Sequence, residues 1–431
     1  MKNAVRGEWP AGIHDGKDSG NGCVAGRGDL PGGGLVRDKT APPPYPMGMT
    51  IRKDFLPFSV PGIDEDDIRA VADVLRSGWI TTGARAGAFE AAVAEYTGAA
   101  NACALTSGTA GWHCVAHALG LKPGDEVIMP SMTWISDANV VELLGATPVF
   151  ADVDPDTLLM TPALAEAKIT PRTRVLLPVH YAGAPVDLDG FRALADRYHL
   201  RLIEDAAHAI GTAYKGKRIG ATGTAIFSLH PIKNITTAEG GLVTTDDSEL
   251  FAAVKRFKFH GIAKDAWDRY SKKGSGTVSG VVEPGLKYNM PDTLAALGCT
   301  QLAKLDRFNV RRTELADHYD AAFAEIPEIR PLAPPPYPHT HAHHLYVVRL
   351  DTPRFTRDAF LAALRERNIG TGIHFKPAHT HPFYAEKYPD AGATLPATEW
   401  SGDRLFSLPL FPAMTDDDLQ DVVAAIRDAL A

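Results

Sequence analysis

The sequence predicts an α/β protein: a mostly parallel sheet flanked by helices, followed by a smaller C-terminal α+β lobe. Three observations carry this expectation. Six short apolar runs recur through the middle of the chain: Glu126 to Met129, Pro148 to Phe150, Val175 to Val179, Arg201 to Ile203, Ala225 to Leu229 and Leu242 to Thr244. Helical patterns such as Leu188 to Tyr198 separate them, and strands apolar throughout fit a parallel sheet covered on both faces. Beyond residue 300 this alternation stops. Finally, 431 residues exceed what one core organises, so at least two lobes are expected.

Taken in order, residues 1–50 read as a disordered extension. The run NGCVAGRGDLPGGG and the segment Ala41 to Pro46 carry Gly and Pro with little to bury. Met47 or Met49 is a candidate translation start, since patterned sequence begins just after them. Gly20-Asn21-Gly22 followed by Ala25 fits a dinucleotide fingerprint in letters only, because no strand precedes it. Residues 51–300 form the expected cofactor-binding large domain. It opens with a helix that Asp64 caps, with Ile68, Val71, Ala72 and Leu75 as its apolar stripe and an end near Gly78. Residues 301–431 form the expected small domain. They contain a proline-rich turn (Pro334 to Pro338), a strand near Leu345 to Leu350, and two amphipathic helices. The last shows Leu419, Val422, Val423, Ile426 and Leu430 behind a Thr415 cap.

Composition narrows the function. The net charge of −8 carries no basic cluster of the kind nucleic acid requires. No uninterrupted apolar run reaches the ~20 residues of a membrane span. The first thirty residues lack an apolar core with a cleavage site, and the four cysteines show no CxxC pair. A reduced, cytoplasmic protein is expected.

Four features then fall in the order that a pyridoxal phosphate site needs. Thr106-Ser107-Gly108-Thr109-Ala110-Gly111 opens a helical stretch, where small residues and free N–H groups suit an anion. An ordinary helix cap is the alternative. Trp134 follows a strand end and could stack on a cofactor ring, or pack in the core. Asp205 ends an apolar run, with His208 three residues later; a buried carboxylate there can hold a protonated pyridine nitrogen. Alternatively Asp205 caps a following helix and His208 is structural. Lys233 lies in a turn just past the Ala225 to Leu229 strand, with Ser228 as a possible phosphate ligand and Gly240-Gly241 beyond. A lone lysine is usually a solvated surface residue. Its place just past a buried strand points instead to an amine able to form a Schiff base and move a proton.

The strings GWITTG (Gly78 to Gly83), PVHYAGAP (Pro178 to Pro185), EDAAHAIGTAYKGKRIG (Glu204 to Gly220) and FSLHPIKNITTAEGG (Phe227 to Gly241) resemble the DegT/DnrJ/StrS sugar aminotransferases. KFHG (Lys258 to Gly261), KYN (Lys287 to Asn289), GTGIHFKPAHT (Gly370 to Thr380) and SLPLFP (Ser407 to Pro412) resemble the branch that aminates a UDP-linked 4-keto pentose in lipid A modification. The resemblance covers residues 54 to 430. It implies the pyridoxal-phosphate aminotransferase fold of type I, with Lys233 as the Schiff-base lysine, Asp205 as the pyridinium partner and Trp134 as the stacking ring. Gly108, Thr109, Ala110 and Ser228 are implied as phosphate ligands. It also implies glutamate and 2-oxoglutarate as amino donor and product, and a homodimer with shared active sites in which Asn289 reaches the neighbouring phosphate. Tyr181, His374 and Lys376 are candidate sugar-nucleotide contacts. Two departures bear on the substrate: many members have Gln where His208 stands, and Arg where this chain has Met290.

Two other readings stand beside this one. The chain could aminate a different nucleotide-linked 4-keto sugar, or bind the cofactor as a regulator without turnover. Family dehydratases carry His in place of the lysine, so Lys233 speaks against dehydration. His339, His341, His343 and His344 share strand-like spacing, yet they have no acidic or cysteine partner nearby. An exposed polar turn is the expectation there, with no metal.

Overall fold

A computed structural model of the chain describes residues 52–262 and 280–431. The extension expected over residues 1–50, with Met47, Met49 and the glycine pattern at Gly20, lies outside the described residues.

The large sheet has seven strands: β1 (Asn101–Leu105), β2 (Glu126–Pro130), β3 (Thr147–Ala151), β4 (Thr173–Leu176), β5 (Arg201–Asp205), β8 (Thr224–Ser228) and β9 (Gly241–Thr245), in the order β1-β9-β8-β5-β4-β2-β3. Between β5 and β8, a short ribbon of β6 (Ala213–Tyr214) and β7 (Lys217–Arg218) pairs with β11 (His339–Thr340). Strands β8, β5, β4, β2 and β3 are mutually parallel, and β9 runs antiparallel between β1 and β8. The physical reason is the connection. No helix lies between Ser228 and Gly241, so the chain turns straight back beside β8, whereas a parallel neighbour needs a crossover. Strand β1 has no counterpart among the six apolar runs. Its NACAL sequence is small and mixed, and its burial comes from the layers around it.

Among the described residues, α1 (Glu65–Ser77), α2 (Ala84–Thr97), α3 (Gly108–Ala118), α4 (Ser136–Leu143), α5 (Pro162–Glu166), α6 (Leu188–Tyr198), α7 (Ser248–Phe257) and a later helix, Asp292–Leu302, accompany the sheet. Strand residues alternate between its two faces. Ala104, Ile128, Phe227 and Leu242 pack with Phe89 and Val93 of α2 and Phe191 and Leu194 of α6. Cys103, Val127, Met129, Ile226 and Val243 pack with Val115 of α3, Val140 of α4 and Val254 of α7. Both faces are therefore apolar, which is why the runs show no polar alternation. The Leu188 to Tyr198 helix forms where expected, with Asp187 accepting from Gly190 N.

Helix α1 corrects the expected stripe. Asp64 does cap it, in a capping box with Asp67, and Gly78 ends it in a left-handed turn. However, Ile68 and Leu75 are 53% and 57% exposed. The face turned inward carries Val74 and the buried Asp67 carboxylate, which accepts from Gln301 Nε2 at 2.9 Å and Lys304 Nζ at 2.8 Å. A charged, fully bonded contact thus orients the helix against its own apolar pattern.

A second sheet, β10 (Ile329–Pro331), β12 (Tyr346–Leu350) and β13 (Leu405–Leu408), is antiparallel throughout, in the order β10-β12-β13. Its core includes Val348, Phe360, Phe406 and all five apolar residues expected on the last helix, Asp416–Leu430, which Thr415 caps. The long helix Leu305–Phe323 joins both cores: Leu305 and Phe308 pack with the large sheet, Leu315 to Phe323 with the small one. No helix among the described residues is long and apolar enough to cross a membrane.

Candidate active site

The parallel strands deliver their chemistry to one edge. Asp205 ends β5, Ser228 ends β8, and α3 starts three residues past β1. Trp134 follows β2, and Lys233 lies in the turn after β8, where its N–H donates to His230 O at 2.8 Å. Ligands of open α/β sheets sit at this carboxyl edge. Gly241, the first residue of β9, pairs with both Leu105 and Ser228. A Cβ on Gly241 would fall 2.2 Å from Ser107 C and 2.4 Å from Gly108 N. The start of α3 therefore rests on the strand ends, and only glycine allows it. Gly108 in turn approaches Phe227 O and Ser228. Ser107 Oγ accepts from Ala110 N at 3.0 Å, while Thr109 is exposed.

Asp205 is buried, and its Oδ1 accepts from Ala207 N at 2.9 Å. No helix follows it, so the helix-cap alternative fails; the carboxylate caps a turn, and that turn presents His208. Burial pulls Lys233 down from 10.5 to about 8, and the Asp205 charge opposes that fall. An amine in this state is partly neutral near physiological pH. His208 Nδ1 accepts from Ala182 N at 3.3 Å, which leaves the ring proton on Nε2. Burial, and after it the Lys233 charge, keeps His208 well below the usual imidazole range.

An aromatic wall completes the site. Trp134 is 59% exposed, so it is not a core residue; its ring lies 5.7 Å from Phe375. Phe375 stacks on His208 at 5.6 Å and meets Tyr181 edge-on at 6.3 Å. The buried Tyr181 hydroxyl donates to His374 O. His374 Nδ1 contacts Ser407 Oγ at 2.9 Å, and burial followed by the Lys233 charge lowers this imidazole to about 4. The structure thus brings Tyr181 and His374 to the site. Lys376 remains exposed, and its charge acts on His381 instead. Asn289 pairs with Leu105 and donates to Thr82; it lines a cavity of about 260 Å³ with Glu90 and Lys258, and its buried Oδ1 has no partner among the described residues.

The histidine segment corrects a second expectation. It is not an exposed polar turn: His344 is buried, and His339, His341 and His343 are half-buried. Arg312, itself buried, donates to His344 O at 3.1 Å and Leu410 O at 2.8 Å and fixes the backbone there. The His344 ring lies 4.4 Å from His208, and neither of its nitrogens has a partner among the described residues. Among the described residues, no three of His, Cys, Asp or Glu converge as metal ligands. Three residues of this site escaped sequence reasoning. Phe375 and His344 carry no local signal that places them here. Asp137, discussed below, reads as an ordinary acid in a first helical turn.

The residues fit pyridoxal phosphate. A helix start held against the sheet by two glycines can take the phosphate, a buried carboxylate can face the ring nitrogen, and a desolvated amine can meet the aldehyde. A profile of the DegT/DnrJ/EryC1/StrS aminotransferase family matches residues 61–427. The chain belongs to that family. Solved structures agree. A Streptococcus pneumoniae protein described as a sugar aminotransferase, in its PMP form, is 32% identical with a TM-score of 0.81, over 87% of this chain and 99% of that one. DesV of S. venezuelae, in complex with a ketimine intermediate, is 35% identical with a TM-score of 0.76, over 86% and 98%. PseC of Helicobacter pylori, an aminotransferase of pseudoaminic acid biosynthesis, is 29% identical with a TM-score of 0.80, over 88% and 99%. This DegT-family chain therefore has the type I fold and is a pyridoxal-phosphate-dependent sugar aminotransferase.

Proposed function

We propose that the chain moves an amino group from glutamate to C4 of a UDP-linked 4-keto pentose, giving UDP-4-amino-4-deoxy-L-arabinose for lipid A modification in the cytoplasm. The observation that carries the amino-transfer chemistry is the placing of Lys233, in the turn after β8, and Asp205, at the end of β5, on one sheet edge, and the strings KFHG, KYN, GTGIHFKPAHT and SLPLFP support the UDP-pentose. Bound pyridoxal phosphate supplies an electron sink that makes the proton on the reacting carbon removable. Lys233 holds the cofactor through its amine and, once released, carries that proton between the donor or sugar carbon and the cofactor. Asp205 keeps the ring nitrogen protonated, with His208 beside it. Gly108, Thr109, Ala110 and Ser228 hold the phosphate, and Trp134 stacks on the ring. Residues 51–300 carry these groups and Tyr181, and residues 301–431 add His344 and His374 on the sugar-nucleotide side, with Lys376 exposed next to them for the anionic nucleotide.

The enzyme acts as a homodimer with shared sites, and Asn289 reaches the partner's phosphate. Two features support this. Asn289 Oδ1 lacks a partner among the described residues, and Ile63, Ile68, Leu75 and Ile80 are all more than a third exposed on the flank that precedes α2. The decisive experiment assays UDP- and dTDP-linked 4-keto sugars with glutamate and measures 2-oxoglutarate release. Preference for the UDP-keto pentose is expected. Turnover of dTDP-hexoses alone would transfer the proposal to another nucleotide-linked 4-keto sugar, and no turnover with any of them would overturn both substrate readings.

A further inference from the structure

Asp205 does not meet the cofactor pocket alone. Helix α4 begins two residues after Trp134, and its first turn places Asp137 against Asp205. Asp137 is 5% exposed and is held on three sides. Its N–H donates to Trp134 O at 3.2 Å, its carbonyl accepts from Trp112 Nε1 at 3.1 Å, and its Oδ2 accepts from Thr133 Oγ1 at 2.6 Å. The Asp137 and Asp205 side chains share a hydrogen bond. Two buried carboxyl groups in contact cannot both ionise, so one keeps a proton and donates it.

The surroundings decide which one. Burial raises the Asp205 carboxyl too, but Asp205 accepts from Ala207 N and feels the positive charge of Lys233, and both of these oppose that rise and favour its ionised form. Among the described residues, the charged group acting on Asp137 is Asp205 itself, and burial holds the Asp137 carboxyl well above the usual range. The Thr133 hydroxyl satisfies one Asp137 oxygen without supplying charge. The acid proton therefore belongs to Asp137.

We propose that Asp137 is a positioning residue: a permanently protonated carboxylic acid that donates its O–H to the Asp205 carboxylate. This deepens the reading of Asp205 as the partner of the ring nitrogen and rests on it. The donated hydrogen bond makes Asp205 a weaker base. In the pair formed with pyridoxal phosphate the shared proton then stays on the ring nitrogen and does not pass to Asp205. Asp137→Asn preserves a donor of the same shape, since its amide N–H can replace the O–H. Asp137→Ala removes the donor.

Two measurements on the full chain test this. The first is infrared difference spectroscopy at pH 8, without cofactor, between the wild type and Asp137→Asn. The wild type should show the carbonyl stretch of an un-ionised carboxylic acid, shifted in D₂O and missing from the variant. A wild type without that band, or a variant that keeps it, overturns the proposal whatever the fate of the Asp205 reading. The second follows the pH titration of the bound cofactor's visible band. With Asp137→Ala the midpoint should rise by about one unit, because the ring nitrogen loses positive character; one unit corresponds to a tenfold change in proton affinity. With Asp137→Asn it should stay near the wild type. Equal midpoints in all three proteins also overturn the proposal. If Asp137→Ala fails to fold, the infrared comparison decides alone.

Discussion

The pH dependence of cofactor capture follows directly from the state of Lys233. Only the neutral amine attacks an aldehyde. With the amine at about 8, roughly 9% is neutral at pH 7, against about 0.03% for a lysine at its ordinary value, a gain of about 300-fold. Between pH 6 and 7 the neutral fraction rises about tenfold, between 7 and 8 about fivefold, and above 8 less than twofold. Stopped-flow growth of the visible band, with cofactor-free protein and subsaturating pyridoxal phosphate, should trace that bend. Asp205→Asn should move the bend to lower pH, because the charge opposing the fall is gone. Lys233→Ala should abolish the band and turnover together. A capture rate still climbing tenfold per unit through pH 9 would identify Lys233 as an ordinary lysine, and a bend moving upward in Asp205→Asn would refute the electrostatic argument. The same shift has a stability consequence. The folded value lies below the unfolded one, so the unfolded chain holds more protons between pH 8 and 10.5. Cofactor-free protein should gain stability as pH rises through that window.

Asp205→Asn should cut kcat by roughly 10²-fold or more while weakening cofactor binding far less, because the phosphate contacts and Trp134 remain; an unchanged kcat in steady-state assays would end the role given to Asp205. Gly241→Ala should cost about 3 kcal/mol in urea unfolding and loosen the cofactor, since the added methyl meets backbone at Ser107 that cannot step aside; a silent substitution would mean that α3 does not rest on the sheet edge. Removal of residues 1–48 should leave Tm and turnover unchanged, given how little that segment can bury; a fall of several degrees on truncation would count against this. With glutamate and the keto sugar both varied, double-reciprocal lines should be parallel, as one lysine serves two half-reactions in turn. Intersecting lines would rule out that cycle.

Much of this architecture is legible in the sequence because it rests on local pattern. Strands β2, β3, β5, β8 and β9 each hold a short apolar run, and they appear as such. Asp205, Ser228 and Lys233 stand at run ends, where a parallel sheet gathers its chemistry, so their convergence follows from topology and needs no knowledge of side-chain packing. Where pattern and packing disagree, the sequence misleads. The stripe Ile68-Leu75 is as regular as any in the chain, yet three bonds to the Asp67 carboxylate turn the other face inward. The direction of β9 depends on a turn, not on its composition. The burial of His344 depends on Arg312, which lies on a helix far away in sequence.

Asp137 shows most clearly what a one-dimensional reading loses. An acid in the first turn of a helix has an immediate explanation in the helix dipole, and that explanation ends the search. In the fold, the same residue faces a second buried carboxyl across a strand end, with a threonine hydroxyl on its other side. The meaning of the side chain changes from a charge that caps a helix to an acid that must stay un-ionised. The change comes from β5, some seventy residues onward. A residue whose protonation is set by a partner so distant in sequence becomes visible only when both strand ends are placed side by side. The infrared band of one carboxylic acid is therefore the most direct test of whether that placement governs the chemistry.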